Sequence, residues 1–155
     1  MEARPQHTPQ HSVSVAGIIL DATASHVLLI QRRDNGRWEP PGGVLELDET
    51  IEDGLRREIK EETGVEVAVG QLSGVYKNMS RGIVNLVFRC STLDDPASST
   101  PEARAVRWFR VSDVERLMDP AYSVRVLDAA MSETVRIRAH DGSRVVDKTS
   151  EDGRK

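Results

Sequence analysis

Blocks of hydrophobic residues separated by polar segments predict five β-strands along this chain. Each block is rich in β-branched and aliphatic residues, which is typical of strands in a sheet. The blocks are Val13–Leu20, Val27–Arg32, Val65–Tyr76, Gly82–Cys90 and Ala105–Val111. Short polar connections at 21–26 and 77–81 join the first pair and the second pair, so the pattern favours two β-hairpins.

The segment between the two predicted hairpins changes from loop to helix composition. Arg37–Gly43 contains two prolines and two glycines, which predicts a rigid loop. Strong helix formers follow from Glu49 to Thr63, interrupted only by Gly54, and Gly64 is a typical C-terminal stop. This segment therefore predicts one helix of about four turns.

The last third of the chain predicts a loop, then helices that close the core. Ser91–Glu102 contains two prolines and a Ser-Ser-Thr run, which is typical of an exposed loop. Ser112 begins an N-cap-like sequence, and Ala121–Met131 has helical composition. One or two helices are therefore expected after the last predicted strand.

Two glutamates of the predicted helix at 49–63 fall among its apolar residues. At about 100° per residue, one face of this helix collects Ile51, Gly54, Leu55 and Ile59, together with Glu58 and Glu62, and Glu61 lies at the edge of that face. A buried, isolated carboxylate costs several kcal/mol, so two of them one turn apart need cations or many hydrogen-bond donors.

Two explanations fit these misplaced carboxylates. Hard oxygen ligands suit Mg²⁺ or Mn²⁺, which keep some waters and take further ligands from substrate phosphates, so a metal site would imply a phosphate substrate. The alternative is a structural ion network in which Glu58 and Glu62 lie under Arg57 or Arg32.

Composition and charge narrow the class of protein. The chain has 155 residues, 38% of them hydrophobic, which favours one domain with its own core. A net charge of −4 argues against binding nucleic acid or an anionic membrane through bulk positive charge. Cys90, the single cysteine, excludes an internal disulfide. The longest apolar runs are far shorter than a bilayer span, and no signal peptide is expected, so we predict a cytoplasmic protein.

The ends of the chain differ in composition from its middle. Residues 1–11 are polar and contain two prolines, and we expect a flexible N-terminal arm. Residues 141–155 are charged and contain glycine, and we expect a flexible C-terminal tail. The predicted domain therefore covers residues 12–140.

Fixed spacings around the predicted helix resemble the signature box of the Nudix hydrolases. Gly43 is followed by five residues and Glu49, then by seven residues and the run Arg57-Glu58-Ile59-Lys60-Glu61-Glu62-Thr63-Gly64-Val65. The resemblance implies an α/β fold, namely an α/β/α sandwich with a mixed β-sheet and the box as a loop, helix and loop. Asp48 and Gly54 depart from the usual residues, and close packing against the sheet is the expected reason for Gly54.

The same resemblance implies a function and a cofactor. It implies a Mg²⁺-dependent pyrophosphohydrolase, with Mn²⁺ as the second candidate ion, that cleaves the diphosphate linkage of a nucleotide or nucleoside diphosphate derivative. Many relatives form homodimers, which leaves a homodimer open here. The competing hypothesis is a nucleotide-sensing or regulatory domain that keeps the fold without turnover, and the intact set of acids argues against it.

The resemblance also implies roles for residues of the box. Glu58, Glu61 and Glu62 look like the metal-binding glutamates, and Gly43 would let the backbone approach a metal or phosphate closely. Arg57 and Glu49 resemble the pair that orients those glutamates. Glu61 and Glu102 are both candidates for the catalytic base, and an ordinary exposed loop residue is the alternative for Glu102.

Three residues outside the box are candidates for contact with the substrate. Arg32 and Arg37 precede the box and would hold phosphates through bidentate hydrogen bonds, although surface solubility explains them equally well. Tyr76 lies in the strand after the box, from which its side chain is expected to reach the substrate.

Overall fold

The computed structural model describes residues 7–146 of the chain. This range contains nine β-strands and three α-helices. The strands are β1 (Ser12–Leu20), β2 (His26–Arg32), β3 (Trp38–Glu39), β4 (Gly42–Val44), β5 (Val67–Asn78), β6 (Ile83–Thr92), β7 (Ala103–Arg110), β8 (Arg136–His140) and β9 (Val145–Val146). The helices are α1 (Ile51–Thr63), α2 (Val114–Leu117) and α3 (Pro120–Met131), with a 3₁₀ turn at Val111–Asp113 before α2.

All nine strands belong to one mixed sheet, with the order β3-β2-β1-β6-β5-β8-β9 and with β4 and β7 paired to β1 and β2. The β1/β6 and β5/β8 pairs are parallel and the others are antiparallel. The end of β1 pairs with β2 through Ile19 and Leu20, whereas its beginning pairs with β4. Because β1 pairs with two strands in this way, Gly42 and Gly43 of β4 lie opposite Ala16 and Val15 in the middle of the sheet.

Successive residues of β1 point to opposite faces of the sheet, as the twofold period of a strand requires. Val15 and Ile19 pack in one core with Leu55 and Ile59 of α1. Residues of α2 and α3 cover the other face, where they pack with Ile18. The predicted α/β/α sandwich with a mixed sheet is therefore confirmed.

The predicted helix in the middle of the chain is also confirmed. It begins after Thr50, whose side-chain oxygen accepts a hydrogen bond from the Asp53 amide at 3.2 Å, and it ends at Gly64 with a φ of 78°. The assignment of Ile51 to its buried face is wrong, because Ile51 is 42% exposed. Leu55 and Ile59 are both fully buried and define that face instead.

Other sequence predictions differ locally from the structure. The five predicted strands are present, but Arg37–Gly43, predicted as a loop, includes β3 and the start of β4. Ser112, predicted near an N-cap, lies inside the 3₁₀ turn, and α2 begins at Val114. The hairpin β8–β9 was not predicted.

The predicted chain ends fall partly outside the described residues. Residues 7–11 precede β1 without regular secondary structure, and residues 1–6 of the predicted arm are not described. In the predicted tail, β9 pairs with β8, whereas residues 147–155 are not described. Within residues 7–146, no helix combines the length and apolar character needed to cross a membrane.

Candidate active site

Glu58 of α1 lies directly against the backbone of β4. Its carboxylate occupies the space that a side chain at Gly43 would need: a Cβ there would lie 2.4 Å from the Glu58 Cδ and 2.5 Å from both of its oxygens. The Glu58 side chain is only 15% exposed, and burial raises the pKa of this carboxyl above its usual range. Gly43 therefore permits a close approach between this carboxylate and the chain. The approach of a metal or phosphate to the Gly43 backbone, which the resemblance implied, stays a prediction.

Glu62 lies one turn further along α1 and is held by the same strand. The Gly42 amide donates a hydrogen bond to the Glu62 Oε1 at 2.8 Å. Burial nevertheless raises the pKa of Glu62 to about 8, and the nearby negative charges of Glu58, Glu39 and Glu102 raise it further than burial alone would. Within residues 7–146, the Glu62 carboxylate makes no ion pair.

Arg57 orients the carboxylates around it. Its Nε and Nη2 donate to the two Glu49 oxygens at 2.8 and 2.7 Å, and its Nη1 donates to Glu58 Oε2 at 3.1 Å and Glu61 Oε1 at 3.3 Å. Hydrogen bonds from Arg57, with one from the Glu46 amide, lower the pKa of Glu49 to about 2. The ion-network alternative therefore describes Glu58, but it does not extend to Glu62.

Gly54 has a different role from the one expected. A Cβ at this position would lie 2.5 Å from Leu45 Cδ1 and 2.8 Å from Glu49 Oε2. The predicted packing against the sheet is therefore wrong, because the helix here contacts the loop that leads into it. The missing side chain leaves room for Glu49 to reach Arg57.

Glu102 lies on the opposite side of the same acidic site. It shares a cavity of about 370 Å³ with Glu62 and Gly42, and its charge contributes to the raised pKa of both Glu58 and Glu62. The Thr100 hydroxyl donates to the Glu62 carbonyl oxygen at 3.0 Å, which fastens this loop to α1. Within the described residues Glu102 makes no ion pair.

Glu39 is a residue of this cavity that the sequence did not reveal. Its carboxylate accepts a hydrogen bond from Arg32 Nη1 at 3.2 Å, and burial raises its pKa. Glu39 lies in the short strand β3, and the prolines next to it hide the alternation of residues that would mark a strand in the sequence.

Of the three candidate substrate residues, Arg32 shares one cavity with Tyr76 and a second cavity with Arg37. Arg32 borders the acidic cavity, but its guanidinium already pairs with Asp34 and Glu39. Arg37 is 66% exposed and pairs with Asp119 at 3.0 Å. Tyr76 is buried, its hydroxyl donates to Asp128 Oδ2 at 2.7 Å, and the residue lines a cavity of about 210 Å³ next to Gly42 and Gly43. Its contact with the substrate stays a prediction.

The donor chemistry of the site fits a hard divalent cation. The carboxylates of Glu58 and Glu62 are partly buried beside a glycine backbone, and oxygen-only surroundings suit Mg²⁺ or Mn²⁺. Glu61 is 48% exposed and turned toward Arg57. In the described range 7–146, no group of three or more acidic, imidazole or thiol side chains is arranged closely enough to hold a metal ion.

Fold and site together define an α/β protein whose loop–helix–loop carries an acidic site against a glycine pair. The model of the NUDIX domain matches residues 10–129. A "MutT-like protein" of Streptomyces ambofaciens is 48% identical over 138 residues, which are 89% of each chain. The chain belongs to the Nudix family.

Two further relatives agree with this assignment. An "ADP-ribose pyrophosphatase" of Methanocaldococcus jannaschii is 33% identical over 113 residues, covering 68% of this chain and 66% of the relative. The crystal structure of a Nudix hydrolase from Nitrosomonas europaea superposes with a TM-score of 0.69 at 27% identity, covering 86% of this chain and 82% of that one.

Proposed function

We propose that this protein is a Mg²⁺-dependent pyrophosphohydrolase that cleaves the diphosphate linkage of a nucleoside diphosphate derivative. Membership of the Nudix family supports the reaction class. The name of the Methanocaldococcus jannaschii relative, an ADP-ribose pyrophosphatase, supports a substrate with a nucleoside on one side of the diphosphate.

The observation that carries the proposal is the half-buried carboxylate of Glu62. Burial and neighbouring acids disfavour its charged form, and no cation of the described chain compensates for it. Without a bound cation, the repulsion between the Glu62 carboxylate and its neighbouring acids would lower the stability of the fold. A bound cation would offset this repulsion. The position is therefore best explained by a ligand that carries positive charge.

Glu58, Glu61 and Glu62 would hold the metal, with the backbone of Gly43 beside them. When bound, Mg²⁺ or Mn²⁺ supplies neutralisation of charge on the diphosphate and polarisation of a water molecule. Arg57 and Glu49 act as positioning residues, because their paired hydrogen bonds fix the direction of the Glu58 and Glu61 carboxylates. Arg32 borders the acidic cavity and would turn toward phosphate oxygens when substrate is bound. Arg37 lines a neighbouring cavity together with Arg32 and Glu39, and would reach phosphate from there.

Glu102 is the better of the two candidates for the base that takes a proton from the attacking water. Its carboxylate borders the cavity beside Glu62 and has no ion-pair partner in the described chain. Glu61 instead accepts a hydrogen bond from Arg57 Nη1 at 3.3 Å, so one of its oxygens is already engaged. Loss of a general base costs typically 10²–10⁴-fold in rate, so Glu102→Gln should lower kcat by about that factor while Mg²⁺ binding persists.

The direct test is turnover of nucleoside diphosphate derivatives by wild-type protein and Glu62→Gln, followed by ³¹P NMR. We expect the wild type to split the diphosphate with Mg²⁺ or Mn²⁺, and Glu62→Gln to lose turnover by orders of magnitude because it lacks a charged metal ligand. Glu52→Gln is the matched control, since Glu52 is 59% exposed and pairs with Arg56 on the far side of the same helix.

Two results would contradict the proposal. Near-normal turnover in Glu62→Gln would exclude its role as a metal ligand. Binding of nucleoside diphosphate derivatives by the wild type, without cleavage of any derivative tested, would instead favour the nucleotide-sensing alternative.

A further inference from the structure

The turn that carries Glu102 is connected to α1 by a single side-chain hydroxyl. Glu102 follows Thr100 and Pro101 in the loop before β7, and it borders the acidic cavity together with Glu62. The residue is exposed, and within residues 7–146 its hydrogen bond is made by the backbone amide and not by the carboxylate. The position of this carboxylate therefore depends on how the backbone of the turn is held.

Thr100 uses the full hydrogen-bonding capacity of its hydroxyl. The Oγ1 accepts from the amides of Glu102 and Ala103 at 3.2 and 3.0 Å, and it donates to the Glu62 carbonyl oxygen at 3.0 Å. A hydroxyl offers one donor and two acceptor lone pairs, so all three are engaged. One oxygen atom thus bridges the backbone of Glu102 to the backbone of Glu62.

The same turn is anchored in the sheet at its other end. The Thr100 amide donates to the Ala103 carbonyl oxygen at 3.1 Å, which closes the turn around Pro101 and Glu102. Ala103 is fully buried and pairs with Arg32 of β2 at the start of β7. The sheet therefore fixes one end of the turn, and the Thr100 hydroxyl fixes the turn relative to α1.

Arg33 holds the turn from the side of β2. Its Nε donates to the Pro101 carbonyl oxygen at 3.1 Å, and its Nη2 donates to the Thr100 carbonyl oxygen at 2.6 Å. Hydrogen bonds from a charged donor are stronger than those between neutral groups. The two carbonyl groups that immediately precede Glu102 are therefore both engaged by one guanidinium.

Capping of α1 explains only part of the Thr100 contacts. The last carbonyl groups of a helix lack partners inside it, and here the Ala97 amide donates to the Thr63 carbonyl oxygen at 3.0 Å while Thr100 serves Glu62. Any donor, including water, would satisfy a helix end. Capping does not require the same hydroxyl to accept from the Glu102 amide, and this second contact favours a role in placing Glu102.

We propose that Thr100 is a positioning residue, whose hydroxyl sets the Glu102 carboxylate at a fixed place relative to Glu62 by bridging their backbones. Glu102 takes the proton of the attacking water, whereas the Thr100 hydroxyl neither gains nor loses a proton. The inference rests on the proposed function, because it explains how the base assigned there is held. A misplacement of about 1 Å costs up to about 10²-fold in rate, so kcat is the quantity that reports it.

Thr100→Val and Thr100→Ser form the matched pair that tests this role. Thr100→Val removes the hydroxyl at similar volume and should lower kcat at least about tenfold, with KM changed less than about twofold. Thr100→Ser keeps the hydroxyl and should stay within about threefold of the wild-type kcat. A wild-type kcat in Thr100→Val, or an equal loss in Thr100→Ser, would overturn the proposal.

Ser73→Ala is the control for the loss of a hydroxyl that bonds to a backbone carbonyl. Ser73 is fully buried on β5, donates to the Val87 carbonyl oxygen at 3.1 Å, and does not line the acidic cavity. This variant should lose stability and keep the wild-type kcat. A loss of kcat equal to that of Thr100→Val would show that any missing hydroxyl has this effect, and would contradict a specific role for Thr100.

A double-mutant cycle shows whether Thr100 acts through Glu102. In the Glu102→Gln background, Thr100→Val should lower kcat by less than about twofold, because the group that it positions is already inactive. The full tenfold loss in that background would exclude Glu102 as the intermediary. Arg33→Met, which removes the donors to the turn from an exposed side chain, should show the same dependence on Glu102 and serves if Thr100→Val does not fold.

Amide hydrogen exchange measured by NMR provides a readout that needs no turnover. The Glu102 amide should exchange about tenfold faster in Thr100→Val than in the wild type, because its acceptor is missing. Faster exchange in a protein that cleaves none of the derivatives would support the bridge and overturn the proposed function. Cleavage by the wild type, with unchanged exchange and unchanged kcat in Thr100→Val, would do the reverse.

Discussion

At the scale of single residues, the two neighbouring glycines of β4 have different reasons for lacking a side chain. A Cβ at Gly42 would lie 2.2 Å from the Val15 carbonyl oxygen, and this backbone is fixed by the sheet. A Cβ at Gly43 would meet only the end of the Glu58 side chain, which is able to rotate away. One glycine is therefore needed for the fold and the other for the position of a carboxylate.

This difference predicts opposite results for two alanine substitutions. Gly42→Ala should lower the free energy of unfolding by about 1–3 kcal/mol, as overpacking does. Gly43→Ala should stay close to wild-type stability but lose most turnover, because Glu58 is displaced. Urea denaturation and initial rates measured on both variants check this, and a fully active Gly43→Ala would show that Glu58 need not lie against the backbone.

At the scale of elements, Asp128 ties α3 to β8 and β5. It accepts from Arg138 Nε and Nη2 at 2.7 and 2.8 Å and from the Tyr76 hydroxyl. Burial opposes its ionisation, but these hydrogen bonds outweigh it and lower the pKa of Asp128. The buried tyrosine that the sequence suggested for substrate contact thus stabilises the packing of two layers.

The lowered pKa of Asp128 predicts how the contribution of its hydrogen bonds to stability depends on pH. Asp128→Asn should cost roughly 1.5–3 kcal/mol of stability at pH 7, since hydrogen bonds to a charged group are lost. The stabilisation exists above the unfolded-state pKa of about 3.9 and disappears as pH falls through the lower folded-state value. Urea denaturation between pH 7 and pH 3 should show the two proteins converging in acid, and a constant difference would exclude this linkage.

The strands of the sheet differ in how far the sequence predicts them. The blocks that became β1, β2, β5 and β6 have clear strand composition because each contributes side chains to a buried core. The hairpin β8–β9 has no such signature: Ile137 is 80% exposed, and the strand forms by parallel pairing with β5. Its existence depends on a distant partner, which local composition does not record.

The candidate site was predictable to a similar extent and for related reasons. Glu58 and Glu62 stood out because they interrupt an apolar face, and both are partly buried. Arg125, which lines the same cavity as Tyr76, gave no signal, since an arginine in a helix is ordinarily a surface residue. Only the closure of α3 over the sheet buries the Arg125 side chain.

At the scale of the whole molecule, the proposed cation links the two halves of the site. It would join α1 to the glycine pair of β4, and a ligand that binds only the folded state stabilises it. Millimolar Mg²⁺ should therefore raise Tm, EDTA should reverse the increase, and Glu62→Gln should abolish it. Differential scanning calorimetry measures all three, and an equal Mg²⁺ response in Glu62→Gln would exclude this site as the source.

Crystals of the protein grown with Mn²⁺ and measured for anomalous scattering test the central claim most directly. The account predicts at least one manganese peak within coordination distance of carboxylate oxygens of Glu58 and Glu62, at the edge of β4. Manganese bound elsewhere, or these carboxylates directed into solvent with no ion beside them, would contradict it.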